Sequence, residues 1–237
     1  MSANIDPYPA TWHEMASRIE YADLRIDTQE RDLRLLCLEA EKYRIPVVVV
    51  NPVNVGLAYQ FAQPCGIKVA AAVSYPVGAY IPQSKMVEVE DAITDGAEII
   101  YMVMAVGAYL SGWIDLFTRP EITSLVQVAG GRPTRLITEA SVLNKDQQRE
   151  LCRIAIEAGV DDLVLCTGFI PGKLPPVSDE QIANIVEAAG KDIGITYMGE
   201  IDPPERAFEL IRMGVTRLCT PSTRGILAAY PDFPWAA

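Results

Sequence analysis

Two kinds of side chain in this sequence could move protons or steady a developing negative charge. Carboxylates stand at Glu20, Glu139 and Glu200, and phenols at Tyr21, Tyr101 and Tyr197. Two carboxylates on one rim can serve as general acid and base, because burial and mutual repulsion split their pKa values. A phenol beside them can donate a hydrogen bond to a carbonyl or enolate oxygen. It can also simply pack, with its hydroxyl on an internal partner. The carboxylates have a plainer use as well: Glu139 as a holder of backbone N–H groups, Glu200 as a solvated loop residue. Cys166 would need a cationic or basic neighbour to become a thiolate. The only histidine is His13, so Cys166 reads as a small buried group. The same scarcity of ligands argues against zinc, and no metal or cofactor is expected.

Chemistry of this kind needs elements that bring distant residues together. A recurring unit does so here: a capped helix, a glycine, then a short apolar strand. Ser178-Asp179-Glu180-Gln181 is a capping box, and Asn144-Lys145-Asp146-Gln147 opens another helix. Asp202-Pro203-Pro204-Glu205 reads as a third start, with Asp202 as the cap. Gly96, Gly159, Gly190 and Gly214 sit where helices stop and can take positive φ.

Apolar runs follow at 47–50, 69–73, 98–103, 135–138, 162–166, 193–197 and 217–219, with a poorly marked first strand at 19–24. Continuous apolar strands alternating with helices imply parallel strands covered on their faces. About eight such units make a single (β/α)8 TIM barrel of α/β class over residues 1–237, with a short N-terminal helical extension. No GxGxxG follows an early strand, which weakens a doubly wound sheet. In a barrel the chemistry sits at the C-terminal strand ends. That rim collects Glu20, Tyr21, Asn51, Ser74, Tyr75, Tyr101, Glu139, Cys166, Thr167, Tyr197, Met198, Glu200, Thr220, Ser222 and Arg224. Cys166, two residues beyond Val164, is expected on the same barrel-facing side. By the same parity Tyr197 is less suited to face inward than Thr196 or Met198. Met102, Met104 and Met198 would make the pocket apolar, or serve as gap filler.

Formal net charge is −11, with Lys and Arg scattered along the chain. That excludes nucleic acid and anionic membrane as main partners and points to a small-molecule substrate. There is no long apolar run, the first residues lack a signal-peptide pattern, and five cysteines show no CxxC spacing. A reducing cytoplasm is the expected location. Homo-oligomerisation is a reasonable expectation for such a barrel.

Several segments, in collinear order, carry a resemblance. They are Val47-Val48-Val49-Val50-Asn51-Pro52, Val73-Ser74-Tyr75-Pro76-Val77-Gly78 with Lys85 and Glu88, Leu136-Ile137-Thr138-Glu139, Cys166-Thr167-Gly168-Phe169, and Arg217-Leu218-Cys219-Thr220-Pro221-Ser222. Together they resemble the deoxyribose-phosphate aldolase family over most of the chain. The resemblance implies a Schiff-base lysine on the sixth strand, a second lysine on the seventh and a proton-transferring aspartate on the fourth. The matching positions here hold Val164, Thr196 and Tyr101. Glu20 followed by Tyr21 stands where the family has an acid on the first strand. Thr167-Gly168 and Thr220-Pro221-Ser222 resemble paired phosphate-binding loops, although Pro221 removes a backbone donor. Arg224 could hold a phosphate or a carboxylate in their place.

Three readings follow. The first is an aldolase-fold enzyme acting on a small carbonyl metabolite by acid/base and hydrogen-bond catalysis without a Schiff base. Its outcome would be C–C lyase, dehydration, isomerisation or cyclisation chemistry. Tyr101, Glu139 and Glu200 would carry the protons, assisted by Glu20 and Tyr21. Asn51, Ser74, Cys166, Thr167, Gly168, Thr196, Met198, Thr220, Ser222 and Arg224 would bind substrate. The second is a degenerate homologue that binds a ligand or protein, its site packed shut by Val164, Met198 and Tyr101. The third relocates the nucleophile to Lys85, Lys145 or Lys173.

Overall fold

A computed structural model describes residues 9–169 and 175–234 of the chain. Eight parallel strands form a closed barrel in chain order, with β8 returning to pair with β1. They are β1 (Ile19–Asp23), β2 (Val47–Val50), β3 (Lys68–Val73), β4 (Ile99–Val103), β5 (Thr134–Ile137), β6 (Asp162–Val164), β7 (Gly194–Met198) and β8 (Arg217–Thr220). The chain therefore folds as a (β/α)8 TIM barrel. Around it run α1 (Trp12–Ala16), α2 (Glu30–Lys42), α3 (Val55–Ala62), α4 (Pro82–Thr94), α5 (Val106–Leu110), α6 (Arg119–Ala129), α7 (Lys145–Ala158), α8 (Asp179–Ala189), α9 (Glu205–Arg212) and α10 (Thr223–Leu227).

The strands are predominantly apolar because both faces are buried. Along β2, Val48 and Val50 face the helices while Val47 and Val49 point into the barrel. Two cores result: a large one between barrel and helices, and a small one inside the barrel. Interior alanines Ala22, Ala70 and Ala72 leave room for the fully buried ring of Tyr101.

The capping box expected at Ser178 forms, and a helix starts after Asn144 as expected. Ser178 Oγ accepts the Gln181 N–H at 3.3 Å and Gln181 Oε1 accepts the Ser178 N–H at 3.0 Å. Asn144 and Gln147 repeat the exchange at the start of α7. Gly96, Gly159, Gly190 and Gly214 all have positive φ. The helix start at Asp202 differs from expectation. α9 begins at Glu205 with Pro204 as its cap residue and no side-chain cap bond. Pro203 precedes a second proline, which keeps it out of the helical region. The start is delayed, and Asp202 lies too far back to cap.

β6 also stops at Val164 instead of running to Cys166. Alternation ends with the strand, so Cys166 turns away from the interior cluster and packs against the outer core. Met102 and Met104 likewise belong to the outer core, because Tyr101 takes the inward position on β4. No helix among the described residues is long and apolar enough to cross a membrane.

Candidate active site

Strand register places a chain of charges inside the barrel. β4 sets Tyr101 beside Arg135, β5 sets Arg135 beside Asp162, and β6 sets Val164 beside Thr196. The Arg135 guanidinium donates to Glu20 at 2.6 Å and closely to Asp162. Arg217 donates to Asp162 at 2.7 Å, and the Thr196 hydroxyl donates to the same carboxylate at 3.3 Å. Tyr101 donates its phenol proton to Glu20. A Cβ on Gly194 would lie 2.2 Å from the Asp162 carboxylate, so a glycine there lets the network close. Burial raises the Glu20 carboxyl above its ordinary range, against the opposing pull of Arg135. Burial, with the Glu20 charge, also holds the Tyr101 phenol protonated.

Two guanidinium groups thus meet two carboxylates, and the interior is electrically balanced. Above this network Val164, Met198, Cys219 and Ala22 form a packed layer.

A cavity of about 530 Å³ opens over that layer, at the C-terminal end of the barrel on the side of β1, β7 and β8. Its floor is Ala22, Met198 and Cys219. One wall comes from β1, the loop after it and α2, with Tyr21, Asp23, Arg25, Leu36 and Glu39. The other comes from the loops after β3, β6, β7 and β8, with Tyr75, Thr167, Gly168, Phe169, Glu200 and Pro221. Tyr21 donates to Glu39 at 2.6 Å, and Tyr75 donates to the Thr167 carbonyl at 3.1 Å. Burial pushes both phenols up, with Glu39 adding to the shift at Tyr21 and Cys219 at Tyr75. Both are therefore hydrogen-bond donors and not bases near neutrality. Phe169 meets Tyr75 edge-on, 5.8 Å between ring centres.

The loops of the second wall are held tightly. Glu139, at φ 47°, accepts the Thr167 N–H on its carboxylate. A Cβ on Gly168 would fall 2.4 Å from the Gly199 Cα, so the two loops touch backbone to backbone. Cys166 donates its thiol to the Met198 carbonyl at 3.0 Å. Burial, and then Glu139, push that thiol up to about 12.

The expected site residues divide accordingly. Tyr21, Glu200, Thr167, Gly168 and Met198 line the cavity. Tyr101 and Glu20 do not: they lie beneath its floor at 0% and 3% exposure, because β4 and β1 aim them into the middle of the barrel. Thr196 sits in the same interior network. Glu139 reaches the cavity only through Thr167. Ser74, at φ 56°, turns its N–H and hydroxyl to Glu88 on α4. Asn51 contacts the Arg25 carbonyl at 3.5 Å. Thr220 accepts the Ser222 N–H, and Ser222 accepts the Ile201 N–H. Cys166 and exposed Arg224 are also outside the cavity lining. Tyr197 packs against the outer core.

Of the lysines, Lys85 is fully buried between α4 and α6, donating to Glu121 at 2.5 Å and to the Val103 carbonyl at 2.7 Å. Lys145 is exposed at the start of α7, and Lys173 lies outside the described residues. No lysine is among the described residues that line the cavity. Among those residues no group of three His, Cys, Asp or Glu side chains is placed to hold a metal ion.

Apart from Tyr21, the β1 wall was missed from sequence. Asp32, Leu36 and Glu39 are spaced for one face of α2, but nothing local to α2 says that this face meets a barrel mouth.

No protein-family model matches the chain. It is 32% identical over 211 residues to a deoxyribose-phosphate aldolase of Geobacillus sp. (strain WCH70), covering 89% of this chain and 93% of the relative. A deoxyribose-phosphate aldolase of Caldicellulosiruptor saccharolyticus is 33% identical, over 92% of this chain and 99% of its own length. Among solved structures, an aldolase designated QR15 superposes with a TM-score of 0.84 at 27% identity, covering 91% of this chain and 95% of its own. The tetrameric deoxyribose phosphate aldolase of Aeropyrum pernix shares the fold at a TM-score of 0.86 and 21% identity, over 95% of this chain and 94% of its own.

Proposed function

The chain belongs to the deoxyribose-phosphate aldolase family, and from that premise we propose an aldolase-type enzyme that acts on a small carbonyl compound without forming a Schiff base. One observation carries the reading. Val164, Thr196 and Tyr101 occupy the positions matched to the family's catalytic set, while phenols and carboxylates, with no lysine among the described residues, line the cavity. None of the three side chains can form an imine.

Proton chemistry falls to the groups that reach the cavity. Glu200, solvent-exposed at its edge, acts as the base that removes a proton next to the substrate carbonyl. Tyr21 and Tyr75, kept protonated, turn their hydroxyls from Glu39 and the Thr167 carbonyl to the developing oxyanion. Glu139 is a positioning residue that fixes the Thr167 loop, and Tyr101 and Glu20 hold the barrel beneath. Carbon–carbon bond making or breaking is the favoured outcome, on the strength of the family alone.

The open cavity counts against the packed-shut binding module. A relocated nucleophile finds little support, since Lys85 is buried in an ion pair and Lys145 is exposed outside the cavity.

Borohydride treatment in the presence of a panel of aldehydes, read by intact mass and peptide mapping, is the test. No lysine adduct is expected, and Glu200→Gln should lower turnover by ~10²–10⁴-fold. A stable adduct on any lysine, Lys173 included, would overturn the reading.

A further inference from the structure

We infer that α4 is a clamp on the rim, with Lys85 and Glu88 as positioning residues that set where the Tyr75 phenol stands in the cavity; this deepens the proposed function and rests on it for what Tyr75 does. The two side chains lie three residues apart, on one face of the helix. Each grips the exit of a different strand. Glu88 accepts both the N–H and the hydroxyl of Ser74 on one carboxylate oxygen, at 2.8 and 3.2 Å. Ser74 is the first residue after β3, is 5% exposed and stands at φ 56°. A residue other than glycine keeps such a conformation only where its surroundings hold it. Tyr75 follows directly, so the backbone fixed by Glu88 is the one that carries the phenol.

Lys85 holds the neighbouring strand. Its ammonium donates to the Val103 carbonyl at the end of β4 and to Glu121 of α6, and Glu121 in turn accepts the Ala105 N–H at 3.2 Å. The β3 loop rests on the stretch held in this way. A Cβ on Gly78 would lie 2.4 Å from the Met104 carbonyl oxygen and 2.9 Å from that of Val103, the oxygen that Lys85 already holds. Gly78 also donates its N–H to the Ser74 carbonyl at 2.9 Å, which closes the loop carrying Tyr75. Loosening either grip therefore moves the same residue. Lys85 and Glu121 are both fully buried. Such an ion pair is a poor source of stability, because desolvation offsets the attraction, and its better use is to fix one arrangement of the backbone. A phenol that must meet a developing oxyanion needs that fixity.

A double-mutant cycle tests the clamp. Glu88→Ala should lower kcat by ~10–100-fold for whichever aldehyde of the panel is turned over fastest. In a Tyr75→Phe background the same substitution should cost less than about twofold, because the group it positions is gone. Glu88→Gln keeps an oxygen for the Ser74 N–H and should restore most of the rate. A second readout needs no substrate. With isotope-labelled tyrosine rings, the Tyr75 NMR signal, assigned with Tyr75→Phe, should move in Glu88→Ala and keep its place in Glu88→Gln. Lys85→Met with Glu121→Gln, which removes the ion pair without stranding a charge, should move it too, as should the milder Glu121→Gln alone. Equal losses of kcat with and without the Tyr75 hydroxyl, or a Tyr75 signal left in place by either set of variants, would overturn the inference. If Tyr75→Phe alone leaves kcat unchanged while the signal moves as expected, the clamp stands and the part given to Tyr75 in the proposed reaction falls instead.

Discussion

Tyr21 and Tyr101 are both phenols bonded to a glutamate, yet their surroundings give them different work. Tyr101 is sealed inside the barrel on Glu20, whereas Tyr21 faces α2, where its hydroxyl on Glu39 borders the cavity. Tyr21→Phe should therefore lower kcat with the melting temperature little changed. Tyr101→Phe should do the reverse, costing ~1–3 kcal/mol in urea unfolding because Glu20 loses a buried partner. Asp23 adds a pH dependence. Burial opposes its ionisation, but hydrogen bonds from Arg25 and Thr28 outweigh that and hold its carboxyl below the ordinary range. A carboxyl depressed in the folded state adds stability above its unfolded pKa and loses it as the pH falls through the folded one. Asp23→Asn should therefore flatten the loss of stability between about pH 4 and lower values, measured by thermal unfolding across that range. An unchanged slope would show that Asp23 is not coupled to Arg25 in solution.

At the scale of elements, the loops after β6 and β7 are built around a contact that only glycine permits. Gly168→Ala would push a methyl group into the Gly199 backbone at a position of positive φ. It should cost ~1–3 kcal/mol and raise KM, seen together in denaturation and kinetics. Ser178→Ala, which removes a cap bond at the start of α8, should cost ~1 kcal/mol and leave KM alone. These elements differed in how plainly the sequence announced them. The Ser178 and Asn144 boxes are local, four residues each, so they could be read directly. The end of β6 and the start of α9 depend on neighbours in space and on a proline pair, and were misplaced by a short distance.

At the scale of the whole molecule, the barrel interior is balanced in charge. Arg135 and Arg217 against Glu20 and Asp162 link four strands of the barrel, and removing one partner strands a buried charge. Arg135→Met should cost ~3–5 kcal/mol in equilibrium unfolding. Restoring balance with Arg135→Met and Asp162→Asn together should recover part of that loss. With the interior filled in this way, the open space lies to one side, over β1 and α2. The site is consequently closer to α2 than the strand ends by themselves would suggest.

From sequence alone, the barrel and the helix caps at Asn144 and Ser178 were legible, though not the one at Asp202. Each depends on period, on cap spacing or on the order of short motifs, all of them local or one-dimensional properties. The residues at 101, 164 and 196, on which the proposed imine-free reading rests, were equally plain as identities. Which face each residue presents was another matter. Tyr101 and Glu20 read as rim groups until strand register paired them inside the barrel, and Asp23, Arg25 and Glu39 carried no motif at all. Closure of the sheet decided both, because depth along a barrel and the helix face turned toward its mouth are set by how eight strands stagger against one another.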